Sequence, residues 1–317
     1  MKKEDLRIVF MGTPEFAVES LKGLVEGGYN VVGVITMPDK PAGRGHKIRF
    51  SAVKEYALSQ NLNILQPGNL KDEAFLAELR SLNADLQVVV AFRMLPEVVW
   101  SMPKHGTFNL HASLLPQYRG AAPINWAVIN GEKETGATTF FLQHEIDTGE
   151  IILQRRITIN DDDNVGTIHD KLMILGAEMV TETVDLIIND KVSAISQEKL
   201  IVKGEALKPA PKIFKETCEL KMDMDVESAH NFVRGLSPYP AAWADVKFPQ
   251  LPEKITLKIF ETRPEKQNHS HPEGEIIIEG KKSAKIALRD GFLVLKEIQA
   301  PGKRRMRIVD FLNGLQG

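Results

Sequence analysis

The 317-residue chain holds one cysteine, Cys218, among 43% hydrophobic and 26% charged residues. A single thiol excludes an internal disulfide framework and any metal site built on clustered cysteines. Its plainest role is that of an incidental or structural thiol. Long apolar runs are also missing: none approaches the roughly 18 residues of a membrane span, and the start, "MKKEDLRIVFMG", has only a brief one. A cytoplasmic protein is expected. Glycine is scarce where a dinucleotide fold would need it, since in "MGTPEF" Gly12 stands alone and a pyrophosphate could not approach the backbone as G-x-G-x-x-G allows. That argues against a dinucleotide enzyme.

Net charge is nearly absent too, at −2, but the balance is uneven. Residues 208–317 carry 19 Lys and Arg against 15 Asp and Glu, a net of +4, which leaves −6 for residues 1–207. An acidic part joined to a basic one is a weak cue for a phosphate-bearing partner.

At this length two domains are the default. "LRIVFMG" is a short buried strand, and "TPEFAVESLKGLVEGG" is a helix that Thr13 can cap, with Pro14 in its first turn. "NVVGVIT" and "LQVVVAF" are further buried strands, and "SAVKEYALSQ", "DEAFLAELRSL" and "PEVVWSM" are helices. Continuous apolar strands alternating with amphipathic helices predict an α/β, doubly wound, mostly parallel sheet. A long helix follows, "NVGTIHDKLMILGAEMVTETVDLIIND", with Asn164 as cap and Ile168, Leu172, Leu175 and Met179 at helical spacing; it closes the first domain, 1–207. Beyond the prolines of "LKPAPKIFKET" comes the helix "DVESAHNFVRGL". Brief strands then recur about every ten residues in "ITLKIFETR", "GEIIIEG", "SAKIALRDG" and "FLVLKEIQ", so 208–317 is expected to be a small β-barrel or sandwich.

The chemistry concentrates in "FNLHASLLPQYRG". Thr107 to Leu110 has the pattern of a strand, which puts Asn109 and His111 on one face at a strand end, where open α/β sheets bind ligands. In "HEIDTGEIILQ", Asp147 falls in a loop between two strand-like runs. An amide, an imidazole and a carboxylate suit acyl transfer to an amine: the amide donates to a developing oxyanion, the imidazole moves a proton, and the carboxylate orients the imidazole and helps to deprotonate the amine. No nucleophilic Ser or Cys is required. Taken by spacing, however, an Asn-x-His pair is more often a strand-end hydrogen-bonding feature than a catalytic one.

"FNLHASLLPQYRGAAPINWAV" followed by "IDTGEI" is similar to the formyltransferases that use 10-formyltetrahydrofolate, with their Asn-x-His, Ser-Leu-Leu-Pro and Asp-x-Gly pattern. "VFMGTPEFAV", "MPDKPAGRGHK" and "PGKRRM" resemble the branch whose acceptor is methionyl initiator tRNA, and these segments run through both halves of the chain. The resemblance implies a Rossmann-like formyltransferase domain and an OB-like β-barrel that binds tRNA. It implies that Asn109 binds the formyl oxygen, that His111 works beside it, and that Asp147 supports His111 and helps to take the amine proton. Ser113, Leu114, Leu115 and Pro116 would border the folate co-substrate. Neither a metal nor an obligate protein partner is implied. "VVVAFRMLP" departs from the pattern, with Arg93 after Phe92 where glycine is expected after an aromatic residue, which puts the fine shape of the folate pocket in doubt.

"MPDKPAGRGHKIRF" is basic and rich in Gly and Pro, by itself an ordinary solvated loop. In the family it reaches the acceptor stem, which would give Arg44 and Lys47 a place on tRNA. Lys303, Arg304, Arg305 and Arg307 in "GKRRMR", with Lys281, Lys282 and Lys285 in "KKSAK", would add phosphate contacts from the second domain, although such runs are usually solvated faces. Two alternatives stay open: a folate enzyme acting on a small amine such as glycinamide ribonucleotide or hydrolysing formyltetrahydrofolate, and a non-catalytic RNA-binding module.

Overall fold

A computed structural model describes residues 2–42, 47–280 and 282–315. The chain forms two compact units, one of Met1–Gly120, Gly136–Ile157 and His169–Pro209, the other of Ala121–Thr135, Thr158–Ile168 and Ala210–Gly317.

The first unit is built on a seven-stranded sheet. In chain order the elements are β1 (Ile8–Gly12), α1 (Glu15–Glu26), β2 (Val31–Ile35), the short pair β3 (Lys40–Ala42) and β4 (Lys47–Arg49), α2 (Ala52–Ser59), β5 (Ile64–Leu65), α3 (Glu73–Ser81), β6 (Leu86–Val90), α4 (Glu97–Trp100) and β7 (Thr107–His111). After α5 (Pro123–Ile129) come β8 (Glu134–Phe141), β9 (Ile151–Thr158) and α6 (Val165–Ile188). The sheet order is β5-β2-β1-β6-β7-β8-β9, with β5, β2, β1, β6 and β7 parallel and β8 antiparallel to β7. Every residue of β1 and β6 is buried, as unbroken apolar strands covered on both faces must be. One core of this unit gathers Val9, Met11, Ile35, Val89 and Val99 with Phe75, Leu76 and Leu79 of α3.

Local chemistry sets the helix starts. Ser51 and Asp72 accept from the N–H groups of Lys54 and Phe75 and cap α2 and α3. At α6, Asn164 and Thr167 cap each other reciprocally, at 3.1 and 3.0 Å, as the sequence anticipates for Asn164. Thr13 does not cap α1. Pro14 takes the cap position with extended backbone, and the Thr13 hydroxyl is left buried without a partner among the described residues.

The second unit is antiparallel: α7 (Val226–Leu236), β10 (Ala242–Val246), β11 (Ile255–Lys266), β12 (Ile276–Glu279), β13 (Ser283–Leu288), β14 (Gly291–Gln299), β15 (Met306–Arg307) and α8 (Ile308–Gly314). Its strand order is β10-β11-β14-β13-β12, with β15 on β14. The inward residues of β10, β11, β13 and β14 make one core with Val233 and Leu236 of α7 and Phe311 of α8. Segments 121–135 and 158–168 join this unit through hydrogen bonds: the Asn125 side chain donates to the Gly235 carbonyl at 2.8 Å, and buried Arg234 donates to the carbonyls of Asn160 and Asp163 at 3.1 and 2.8 Å. Cys218 is buried here, its thiol donating to the Phe214 carbonyl, and burial pushes its pKa up. A reactive thiolate is thereby disfavoured.

Candidate active site

Strand β7 lies between β6 and β8, one strand beyond the reversal of strand order between β1 and β6, with Asn109 at its middle and His111 at its carboxyl end. The Asn109 amide is half-buried and has no hydrogen-bond partner among the described residues. His111 is 6% exposed, and its Nε2 lies 2.9 Å from the carbonyl oxygen of Tyr118. A carbonyl only accepts, so Nε2 carries the proton and the lone pair of the neutral ring is on Nδ1. Nδ1 faces Asp147 Oδ2 at 4.0 Å, close enough for the carboxylate to offset a charge on the ring. Asp147 Oδ2 also accepts from the Gly120 N–H at 3.1 Å. Loop 142–150, between β8 and β9, thus brings Asp147 to His111 as the sequence suggests.

The Ser113–Pro116 turn is tied into the sheet. The Ser113 hydroxyl donates to the Gln117 carbonyl at 2.7 Å, the Thr138 hydroxyl donates to the Ser113 carbonyl at 2.7 Å, and the Gln154 amide donates to the Leu115 carbonyl at 2.9 Å. Ser113, Leu115 and Pro116 are buried, and Leu114 is half-buried. Leu115 packs with Phe140 and Ile151.

Arg93 is half-buried. Its guanidinium donates to the carbonyls of Pro67 and, at 2.9 Å, Gly68, and burial lowers its pKa. It fastens the loop after β5 to the loop after β6. Met94, next along, is 75% exposed, and because β6 and β7 are parallel neighbours its loop leaves the sheet at the same edge as His111.

The other basic residues sort differently. Arg44 lies outside the described residues, and so does Lys281. Lys47 opens β4, but its side chain is outside the description as well. Lys303 and Arg304 are exposed and without an ion pair among the described residues, whereas Arg305 pairs with Glu297 and lies over the Phe260 ring. Lys285 corrects the expectation: it is 7% exposed and held by Glu265 and Glu279 at 2.8 and 2.6 Å, so it is closed to phosphates. Arg307 is paired with Asp310. Sequence patterns missed a cavity of about 630 Å³ in the second unit, lined by Lys212, Lys215, Lys258, Phe214, Tyr239 and Trp243 among others. These lysines are spread over 47 residues, so no charge run reveals them. Among the described residues no group of three or more His, Cys, Asp or Glu is arranged to hold a metal, and no helix is long and apolar enough to cross a membrane.

Residues 6–184 match the family described as "Formyl transferase", and residues 212–316 match "Formyl transferase, C-terminal domain". The chain belongs to the formyl transferase family. A methionyl-tRNA formyltransferase of Bacteroides thetaiotaomicron is 63% identical over 316 residues, covering 100% of this chain and 98% of that one. Among solved structures, HypX from Aquifex aeolicus in complex with tetrahydrofolic acid superposes with a TM-score of 0.64 at 17% identity, covering 98% of this chain and 47% of that one. This formyl transferase therefore spans about half of HypX. An N-formyltransferase of Helicobacter canadensis, in complex with folinic acid and dTDP-3-aminofucose, gives a TM-score of 0.64 at 18% identity over 95% of this chain and 100% of that one. At these identities the solved structures speak to the fold alone, the two-part architecture described above.

Proposed function

We propose that the chain transfers the formyl group of 10-formyltetrahydrofolate to the α-amino group of methionyl initiator tRNA, in the cytoplasm. The observation that carries this reading is an unpartnered Asn109 amide beside a His111–Asp147 pair, in a chain so similar over its whole length to a methionyl-tRNA formyltransferase. In the transfer, a bond forms between the formyl carbon and the α-amino nitrogen while the bond to the donor's nitrogen breaks. The amine loses a proton and the departing nitrogen gains one. The Asn109 N–H groups, without a partner among the described residues, are available to the formyl oxygen as it gathers negative charge. His111, with Nε2 committed to Tyr118, presents Nδ1 for proton transfer, and Asp147 compensates the charge that follows.

We assign catalysis to residues 1–207, and there the folate to the turn of Ser113, Leu114, Leu115 and Pro116. The polar groups of that turn are largely consumed within the chain, so it would offer the co-substrate shape and stiffness. The exposed Met94 suits a flat, partly apolar ligand at the same edge.

RNA contact is assigned to residues 208–317 together with Arg44 and Lys47. Lys303 and Arg304 are free to meet phosphates, and Arg305 must first share Glu297. The cavity with Lys212, Lys215 and Lys258 beside Phe214, Trp243 and Tyr239 joins ammonium groups to aromatic faces, the pairing that nucleic acid strands use. The test is a formyl-transfer assay with charged initiator tRNA, glycinamide ribonucleotide, other small amines and water as competing acceptors. Formylation of the tRNA alone is expected. Comparable transfer to a small amine, or release of formate without an acceptor, would replace this reading with one of its rivals.

A further inference from the structure

We propose that Gln197 and Arg119 are positioning residues that hold Asp147 in the orientation formyl transfer needs, a role that rests on the reading of Asp147 given above. The backbone of Asp147 is at φ +54°, a left-handed conformation that aspartate tolerates better than most side chains but that still costs more than the extended or right-handed one, so contacts that hold the turn help to keep it there. Gln197 supplies the hold. It opens a short 3-10 turn (Gln197–Leu200) and is 2% exposed, which is unusual for a neutral polar side chain. Its Nε2 donates to the carbonyls of Asp147 and Gly149, both at 2.9 Å, and so spans the turn on either side of Thr148.

The amide has only one workable orientation. Its Oε1 accepts from Nε and Nη2 of Arg119 at 3.1 and 2.7 Å, and a guanidinium can only donate. A flipped amide would set its oxygen against two carbonyls and its NH2 against the guanidinium. Two more contacts fix the parts. Ile195 and Ile151 exchange backbone hydrogen bonds at 2.8 and 2.9 Å, which carries Gln197 alongside the start of β9. Gly149 is pressed so closely on β8 that a Cβ there would lie 1.6 Å from the Phe141 carbonyl oxygen.

Three consecutive residues then tie the site together. The Tyr118 carbonyl takes the His111 ring, the Arg119 side chain takes Gln197, and the Gly120 N–H takes the Asp147 carboxylate. Without Gln197 the 147–149 turn is free to relax toward φ < 0, which would swing the carboxylate away from Nδ1 of His111. Displacements of about 1 Å at a reacting centre can cost on the order of a hundredfold in rate.

The discriminating variant is Gln197→Glu, which keeps the volume and the Arg119 contact but loses both donors to the turn. In the full-length enzyme, kcat for formylation of methionyl-tRNA should fall roughly ten- to a hundredfold. KM for tRNA and folate should stay within about twofold, and the thermal unfolding profile should still show a folded protein. Gln197→Glu should add little to the loss caused by Asp147→Asn, because both remove the same function. Arg119→Ala, which frees the amide to rotate, should show a smaller loss of the same kind that Arg119→Lys partly restores, and it serves if Gln197→Glu does not fold. A folded Gln197→Glu enzyme with the parent's kcat overturns the proposal, as does a loss that multiplies in full with that of Asp147→Asn. If Asp147→Asn alone keeps the parent's kcat, the reading of Asp147 fails first and takes this one with it.

Discussion

At the scale of single residues, the site pairs one side chain left open with two that are closely held. Asn109 has an amide without a partner among the described residues, while His111 and Asp147 are held by backbone groups of Tyr118 and Gly120. An open donor beside His111 is what an oxyanion contact requires, so Asn109→Ala should lower kcat by about a hundredfold to a thousandfold, with the fold intact because no hydrogen bond among the described residues depends on that amide. Steady-state turnover beside a thermal melt checks both halves, and near-normal kcat would remove Asn109 from the chemistry. The strand pattern puts Asn109 and His111 on one face and Asp147 in a loop flanked by strand-like runs, but spacing alone does not single them out; the family resemblance joins the three as candidates. Gln197 was not legible in the sequence, because its role depends on hydrogen bonds to residues about fifty positions away, which no local pattern records. Arg93 was visible as a departure, but its task, bonding the carbonyls of Pro67 and Gly68, is again long-range.

At the scale of elements, periodicity located the main strands and helices, including α6 with its Asn164 cap. It passed over α5, β10 and α8, short segments whose stability comes from packing, and it gave Thr13 a capping role that Pro14 takes. Helix α7 shows how an element answers to pH. Its cap, Asp225, accepts from the Ser228 N–H at 2.8 Å and from the Ser228 hydroxyl, and the backbone bond first of all holds its carboxyl below the ordinary range. His230, one turn on, is pushed down from its ordinary value of 6.5 by burial and then by Arg234. A lowered histidine disfavours the charged folded form, so stability should begin to fall as pH drops below about 6.5, the range in which an unfolded histidine takes up its proton. A lowered carboxylate stabilises above its unfolded value, so a second loss should follow as pH falls below about 4. In urea melts read on the second unit, His230→Gln should flatten the first decline. Asp225→Ala should cost about 1 kcal/mol at neutral pH and flatten the second. A stability curve unchanged from pH 7 to 5 in the parent would show that His230 is not held neutral.

At the scale of the whole molecule, the division of charge into −6 for residues 1–207 and +4 for residues 208–317 acquires meaning only once paired and unpaired cations are told apart. The sequence marks Lys285, Arg304 and Arg305 alike as members of basic runs. Folding separates them: Lys285 lies between Glu265 and Glu279, Arg305 shares Glu297, and Arg304 faces solvent without an ion pair among the described residues. A phosphate contact releases counterions, so the logarithm of tRNA affinity falls linearly with that of salt, with a slope of about −0.9 per duplex phosphate neutralised. A cation already neutralised by a carboxylate gives up part of that release, because the phosphate must displace the carboxylate. Arg304→Ala should therefore flatten the slope by about one unit. Arg305→Ala should flatten it by less, and Lys285→Ala should leave it unchanged while loosening the β12–β13–β14 part of the sheet. Among the cavity lysines, Lys258→Ala should behave like Arg304→Ala if that cavity receives the RNA backbone. Filter binding of charged initiator tRNA between low and moderate salt resolves these slopes. Equal slopes for the parent and Arg304→Ala would place the RNA surface elsewhere, and a flattened slope for Lys285→Ala would mean that its two carboxylates release it when RNA arrives.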